Sequence, residues 1–232
     1  MVGVGIRLFA AKILQVIAMP YLCHVKKYVM TKKIVNNAEA ALRRAWADDL
    51  REALRVLNGG GVILYPTDTI WGIGCDACNP EAVRRVYEIK QRADNKALIV
   101  LVDAEPKVEF YVRDVPEVAW DLMEVADRLL TLVLDGARNL APNLLGEDGS
   151  VGIRVTAEPF SRDLCMRFKR AIVSTSANVS GAPAPRSFAE IPDAILRAVD
   201  YVCTSRREEK QPAQASSVIK LTQSGEVSIL RP

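Results

Sequence analysis

Two short polar segments hold the residues of this chain whose types and spacing could perform chemistry. In the segment at 172–181, IVSTSANVSG, Ser176 and Asn178 follow a short apolar run. The segment at 90–96, KQRADNK, is rich in lysine and arginine. Hydroxyl, amide and cationic side chains suit the positioning and neutralisation of anions, as in phosphoryl or adenylyl transfer, where the protein need not supply a nucleophile. The two segments are therefore the candidates for such chemistry.

Ordinary structural roles for the same residues remain open on the sequence alone. Lys90 falls on the apolar face of a predicted helix, from which its ammonium could extend to solvent. Arg92 could pair with Glu88, and Lys96 could be solvated. The hydroxyl and amide residues of STSAN could simply close a turn. The pattern does not decide between these interpretations and a functional site.

The composition argues against several other kinds of site. The chain has one histidine, His24, far in sequence from any candidate nucleophile, which argues against a Ser-His-Asp or Cys-His arrangement. Cys75 and Cys78 form a C-x-x-C pair, but a closed zinc site needs about four ligands, so we interpret both as packing residues. Five irregularly spaced cysteines are typical of a reducing cytoplasm. A net charge of +3 is too small to indicate nucleic-acid binding by itself.

Apolar periodicity predicts the helices and strands that must position these residues. Helical spacing predicts helices at 37–57, 80–92, 114–129, 159–169 and 192–199. Short apolar runs predict strands at 62–66, 98–102, 131–134, 151–155, 172–174, 201–203, 216–221 and 226–231. The last two strands, separated by TQSG, are predicted to form a hairpin. This alternation, without repeats, predicts one mixed α/β domain.

Local patterns add detail to this outline. Asn79 before Pro80 is typical of a capped helix start, and we expect Asp114 to cap the third helix. In VGIRV, Arg154 lies opposite the apolar face of the strand. Residues 135–150 form a long loop without periodicity, and loops of this length are usually either functional or disordered. If the loop is functional, we expect it to act as a lid over a site.

Residues 1–29 are apolar and basic and contain no acidic residue. Arg7, Lys12 and Pro20 interrupt the segment, so neither a membrane-spanning helix nor a secretory signal fits it well. We interpret it as an amphipathic or disordered N-terminal extension that precedes a domain at 30–232. We expect no association with a membrane.

Five motifs, in this order, make the chain similar to a known family. They are YPTDTIWGIGCDA, KQR followed by KALIVLV, SVGIRV, TSANVSG, and SSVIK before ILR. Over residues 38–232 the chain resembles the YrdC/TsaC family, the threonylcarbamoyl-AMP synthases, in its short single-domain form. The resemblance implies a single YrdC-like α/β domain with a twisted mixed sheet flanked by helices and a concave cleft for substrate and nucleotide.

The resemblance also implies a nucleotidyltransferase activity. Members of the family condense L-threonine, bicarbonate or carbon dioxide, and ATP into threonylcarbamoyl-adenylate, with Mg²⁺ on the phosphates and release of pyrophosphate. Partner proteins then transfer the threonylcarbamoyl group to an adenosine of tRNA. We therefore expect ATP, L-threonine and bicarbonate as ligands, with tRNA and the transfer proteins downstream, in the cytoplasm.

Family position assigns roles to individual residues. The signature tetrad, expected to be catalytic, consists of Lys90, Arg92, Ser176 and Asn178. The expected contacts to threonine are Thr69, Arg154 and Ser216. The expected contacts to the nucleotide are Arg92, Lys96, Ser150, Asn178, Arg186 and Arg231. No metal site formed by the protein itself is expected.

Three positions depart from the family pattern. LLT stands at 129–131 where the family often has P-L-T. Ala97 replaces a proline, and Leu101 replaces a histidine that in the family touches threonine. We therefore expect a more apolar pocket for the amino acid.

Two other functions are compatible with the resemblance. A YrdC-like protein could bind double-stranded RNA or tRNA without synthase activity, and its affinity for RNA would then fall steeply with salt. A related carbamoyl-adenylating domain occurs in hydrogenase maturation, but inside a much longer chain. The intact tetrad favours the synthase.

Overall fold

The structure is a computed structural model that describes residues 43–92, 98–126, 129–209 and 215–232. Contacts between residues divide the chain into one unit at Met1–Ala45 and a second at Trp46–Pro232. All the strands described below belong to the second unit. The proposed extension at 1–29 lies outside the described residues.

The described residues form a mixed sheet of nine strands. In chain order the strands are β1 (Ile63–Tyr65), β2 (Gly72–Gly74), β3 (Ile99–Val102), β4 (Leu130–Leu134), β5 (Val151–Val155), β6 (Ile172–Ser176), β7 (Tyr201–Val202), β8 (Ser217–Leu221) and β9 (Val227–Arg231). Their order across the sheet is β7-β1-β2-β6-β3-β5-β4-β8-β9. The pairs β1–β7, β3–β5 and β4–β8 are parallel, and the remaining pairs are antiparallel. The predicted mixed α/β fold and the β8–β9 hairpin are confirmed.

Of the six described helices, five lie in segments predicted to be helical, and α3 was not predicted. They are α1 (43–58), α2 (Pro80–Lys90), α3 (Val108–Tyr111), α4 (Glu117–Val125), α5 (Pro159–Phe168) and α6 (Asp193–Ala198). Asn79 caps α2, because its side chain accepts hydrogen bonds from the backbone N–H groups of Glu81 and Ala82. The helix ends at Gln91 in the left-handed conformation, so Lys90 is the last helical residue.

The predicted start of the third helix is wrong. α4 begins at Glu117 with Pro116 in the capping position, and no side chain caps it. Asp114 instead has a positive φ of 46° and lies before the helix. Pro116 explains the difference, since a residue directly before proline is disfavoured in the helical conformation.

Gly74 in β2 lies where neighbouring strands pack closely together. A Cβ atom at Gly74 would lie 2.5 Å from Cε1 of Tyr65 and 2.8 Å from the carbonyl oxygen of Val173. The Tyr65 side chain is fully buried, and its hydroxyl donates to that same carbonyl at 3.2 Å. Gly74 therefore allows the tyrosine ring to approach the backbone of the sheet closely.

Part of the loop at 135–150 is packed against the domain. A 3₁₀ turn at Pro142–Leu144 buries Leu144 completely, and the backbone N–H of Ala141 donates to the carbonyl of Ala77. The middle of this loop is therefore a fixed element of the fold, and its role as a lid stays a prediction. None of the described helices combines the length and the apolar character that crossing a bilayer requires.

Candidate functional site

Lys90 is buried and holds the end of β6. Its side chain is 2 % exposed, and its ammonium donates to the backbone carbonyls of Ser176 at 2.5 Å and Asn178 at 2.8 Å. Longer contacts reach Asn178 Oδ1 at 3.3 Å and Ser176 Oγ at 3.5 Å. The backbone N–H of Ser180 in turn donates to the carbonyl of Lys90 at 2.8 Å. The ammonium therefore ties the end of α2 to the polar segment after β6 and does not extend to solvent.

The tetrad divides into a pair that faces a cavity and a pair that supports it. Ser176 and Arg92 line a cavity of about 280 Å³. Asn178 is buried beside Lys90, and its amide nitrogen donates to the carbonyls of Val179 and Ala182. The side chains of Lys90 and Asn178 thus hold the backbone from which Ser176 projects.

The same cavity collects polar residues from six separate parts of the chain. Its polar lining consists of Thr69, Arg92, Arg154, Ser174, Thr175, Ser176, Ser216 and Arg231. The sheet order explains this convergence, because β2, β6, β3 and β5 are consecutive neighbours. Residues that lie far apart in sequence therefore meet on one surface of the sheet.

Ser216 is the centre of a buried hydrogen-bond network. Its hydroxyl lies 2.8 Å from the hydroxyl of Thr131, and it accepts from Arg231 Nη2 at 3.2 Å and from Arg154 Nη1 at 3.5 Å. Arg231 Nε also donates to the carbonyl of Ser216 at 2.8 Å. Ser216 thus holds Arg231 through two hydrogen bonds and contacts Arg154 through one longer bond.

Thr69 is held on the opposite wall by its own loop. The Thr67 hydroxyl donates to the carbonyl of Ile70 at 2.7 Å and accepts from the backbone N–H of Thr69 at 3.1 Å. Arg154 Nη2 lies 3.3 Å from the Thr69 hydroxyl. Family position assigns Thr69, Arg154 and Ser216 to threonine, and in the structure Arg154 contacts each of the two hydroxyl residues.

The cavity is electropositive and partly desolvated. Burial lowers the pKa of Arg92, and burial together with the neighbouring Arg154 lowers the pKa of Arg231. Arginine nevertheless stays charged at physiological pH, so these groups offer fixed positive charge to an anion. Burial, with a smaller effect of Arg92, lowers the pKa of Lys90 to about 8.

Besides Asn178, three further expected nucleotide contacts lie away from the cavity lining or cannot be placed. The Ser150 hydroxyl is buried and donates to Asp148 Oδ1 at 2.6 Å. Arg186 is on the exposed surface, and its backbone N–H donates to Glu190. Lys96 lies outside the described residues. Their roles stay predictions.

Two residues of this site were not predicted from the sequence. Thr131 is fully buried and bonded to Ser216, and Asp68 lies 2.9 Å from Arg154 Nη2 through its Oδ1 atom. Asp68 lies between Pro66 and Thr69 in the motif YPTDTIWGIGCDA, but nothing in the spacing indicates that its partner is Arg154. For Thr131, alternation along β4 could have shown a polar residue at a core position.

Leu101 does not line the cavity. It is fully buried in β3 and pairs with Arg154 across the parallel ladder. The cavity is lined instead by Ile99, the first residue of β3, and by Leu98, which precedes the strand. The expected effect of Leu101 on the pocket would therefore act through the packing beneath Arg154.

A larger cavity of about 560 Å³ has a different character. Its described lining is mainly apolar, with Glu105 as its charged side chain. A site for anionic substrates needs convergent donors and positive charge, which only the smaller of these two cavities provides.

The fold and this cavity define a mixed α/β protein whose sheet carries a cavity lined by three arginines and several hydroxyl groups. The family model Sua5_yciO_yrdC, described as "Telomere recombination", matches residues 55–232. The chain belongs to this Sua5/YciO/YrdC family.

Similar proteins support the same family. The chain is 34% identical to a threonylcarbamoyl-AMP synthase of Stutzerimonas stutzeri over 190 residues, 79% of this chain and 96% of that protein. It is 36% identical to a protein of the same name from Pseudoalteromonas translucida over 152 residues, 64% of this chain and 81% of that protein.

Solved structures agree with the fold. P. abyssi Sua5 in complex with L-threonine matches with a TM-score of 0.66 at 26% identity, covering 74% of this chain. The chain spans about half the length of that protein, since 50% of it is covered. E. coli YciO matches with a TM-score of 0.67 at 25% identity, covering 78% of this chain and 87% of that one.

Proposed function

We propose that this chain is a threonylcarbamoyl-AMP synthase, which condenses L-threonine, bicarbonate or carbon dioxide, and ATP with release of pyrophosphate. The observation that carries the proposal is the convergence of three guanidinium groups and several hydroxyls on one cavity. Synthases of the same name share 31–36% identity with this chain. The reaction joins two anions, a carbamate and a triphosphate, and so needs this kind of surface.

The amino acid would bind between Thr69, Arg154 and Ser216. A guanidinium can hold a carboxylate through two parallel hydrogen bonds, and Arg154 is the most buried of the three cavity arginines. The hydroxyls of Thr69 and Ser216 flank this group and would orient the substrate's polar atoms. The cavity, at about 280 Å³, lies near the lower end of small-molecule pockets, about 300–1,000 Å³. It suits the amino acid and the reacting phosphate.

The nucleotide would bind at the side of the cavity that is lined by Arg92, Ser176 and Arg231. Mg²⁺ would arrive with ATP as part of the substrate, because the described residues contain no group of three or more His, Cys, Asp or Glu side chains that could hold a metal ion. Lys90 would act behind this surface by fixing the backbone at Ser176 and Asn178.

The proposed reaction forms two bonds. The neutral amine of threonine attacks the carbon of carbon dioxide and, after loss of a proton, becomes a carbamate. A carbamate oxygen then attacks the α-phosphorus of ATP, and the bond from that phosphorus to the bridging oxygen breaks to release pyrophosphate. The arginines would hold both anions within reach and neutralise the charge that develops on the phosphoryl oxygens.

The product is an activated acyl donor, so we further propose that tRNA and transfer proteins consume it in threonylcarbamoyladenosine formation. The four described cysteines are free thiols, which supports the cytoplasm as the place of reaction.

The experiment is pyrophosphate release from ATP with Mg²⁺ and bicarbonate, with and without L-threonine, and mass spectrometry of the adenylate. We expect release that depends on threonine and is lost in Arg92→Gln. Arg170→Gln is the matched control, since Arg170 pairs with Asp76 outside the cavity. Absence of release with intact, folded protein would defeat the synthase assignment, and salt-dependent RNA binding would then be measured as the alternative.

A further inference from the structure

Asp68 is a carboxylate enclosed behind the wall of the cavity. Its side chain is 6 % exposed, and neither of its oxygens makes an aligned hydrogen bond with a described residue. Burial raises its pKa, and the charge of Arg154 opposes that shift. Enclosing a carboxylate in this way costs free energy unless a charged partner offsets the cost, so its place in the fold needs a reason.

Arg154 is that partner and is otherwise loosely held. Its Nη2 atom lies 2.9 Å from Asp68 Oδ1, whereas its hydrogen bonds to Thr69 and Ser216 are long, at 3.3 and 3.5 Å. Its Nε atom is buried and has no hydrogen-bond acceptor among the described residues. The ion pair with Asp68 is therefore the closest contact that fixes the guanidinium.

The two members of the pair differ in their access to the cavity. Arg154 lines it, whereas Asp68 does not. A ligand in the cavity can therefore touch the guanidinium and cannot touch the carboxylate. From its position outside the cavity lining, Asp68 can orient the guanidinium group of Arg154.

We propose that Asp68 is a positioning residue for the amino-acid substrate, acting through Arg154, an inference that rests on the proposed synthase function. With Asp68 in place, the guanidinium presents its cavity-facing edge to the substrate's carboxylate. Without Asp68, Arg154 has only its two long hydrogen bonds and turns away from that geometry. The substitution would weaken binding of the amino-acid substrate and leave ATP binding unchanged.

The test is a cycle of Asp68→Asn, Arg154→Gln and the double variant, with kcat/KM for threonine and KM for ATP as readouts. Asp68→Asn should lower kcat/KM for threonine about tenfold or more, since small misplacements of a binding group have effects of this size. In the Arg154→Gln background it should have no further effect. A merely structural role would lower kcat/KM for threonine and also raise KM for ATP, and the effects of the two substitutions would multiply in the double variant.

Asp76→Asn is the matched control, because Asp76 is also buried and paired with an arginine, Arg170, away from the cavity. Melting curves verify folding, and Asp68→Ala replaces Asp68→Asn if the latter does not fold. An unchanged kcat/KM for threonine in Asp68→Asn overturns the inference while the synthase stands. No threonine-dependent release by the parent protein overturns both.

Discussion

The ammonium of Lys90 donates to Asn178 twice, to its backbone carbonyl at 2.8 Å and to its side-chain Oδ1 at 3.3 Å. These contacts place a positive charge inside the protein next to carbonyl oxygens and leave Arg92 and Ser176 to face the cavity. Lys90 and Asn178, two members of the family tetrad, thus support the site without lining its cavity.

Removing this ammonium should damage both stability and activity. In Lys90→Met, the carbonyls of Ser176 and Asn178 lose a buried donor, which should cost about 1–3 kcal/mol in the free energy of unfolding. The displaced backbone should lower kcat/KM about 100-fold. Lys107→Met is the control, since Lys107 pairs with Asp103 near the surface. Urea titration and pyrophosphate release measure the two effects, and an active, fully stable Lys90→Met would contradict this role.

The charge of Lys90 predicts a dependence of stability on pH. Its pKa in the folded protein is about 8, below the ordinary value of 10.5. Between these values the unfolded chain binds more protons, so the contribution of Lys90 to stability should rise as pH increases from about 8 to 10.5. Below about pH 8 Lys90 is charged in both the folded and the unfolded state, so its contribution to stability does not change with pH. The difference in unfolding free energy between the parent protein and Lys90→Met, measured across this range, tests the prediction. A difference that falls with pH would show that the acceptor atoms outweigh burial.

Loss of the Ser216 hydroxyl should weaken binding of the substrate threonine more than it lowers the stability of the protein. Ser216→Ala removes the hydroxyl shared by Thr131, Arg154 and Arg231, so both guanidinium groups lose a fixed point. We expect KM for threonine to rise about tenfold, with less than about 2 kcal/mol lost in stability. Ser224→Ala is the control, because Ser224 bonds to Thr222 in an exposed turn. An unchanged KM would remove Ser216 from the proposed amino-acid subsite.

Gly74 should not tolerate a side chain. The Cβ of Gly74→Ala would overlap the Tyr65 ring and the Val173 carbonyl, so we expect a loss of about 1–3 kcal/mol. At Gly59, by contrast, the nearest atom to an added Cβ lies at 3.4 Å, and alanine there should change stability by less than about 1 kcal/mol. Thermal unfolding of both variants checks the comparison. Equal stabilities would show that the sheet relaxes around the tyrosine.

The sequence by itself determined the local structure and the family. The cap at Asn79 depends on neighbours a few residues away, and the structure confirms it. The helix that it begins was predicted to continue to residue 92, but it ends at Lys90 because Gln91 adopts the left-handed conformation. In VGIRV, Arg154 lines the smaller cavity, whereas Ile153 and Val155 line the larger one, as the alternation predicts. Asp114 shows the limit of this reasoning, since Pro116 decided where α4 begins.

Only the tertiary structure decided how the site is assembled. Arg154 meets Thr69 across 85 residues of sequence and Ser216 across 62, and these contacts depend on the order of strands in the sheet. The burial of Lys90 and the pairing of Asp68 with Arg154 have the same origin. Residue spacing predicts which side of a strand a side chain occupies, but its partner belongs to another strand, and strand order arises from packing the whole core.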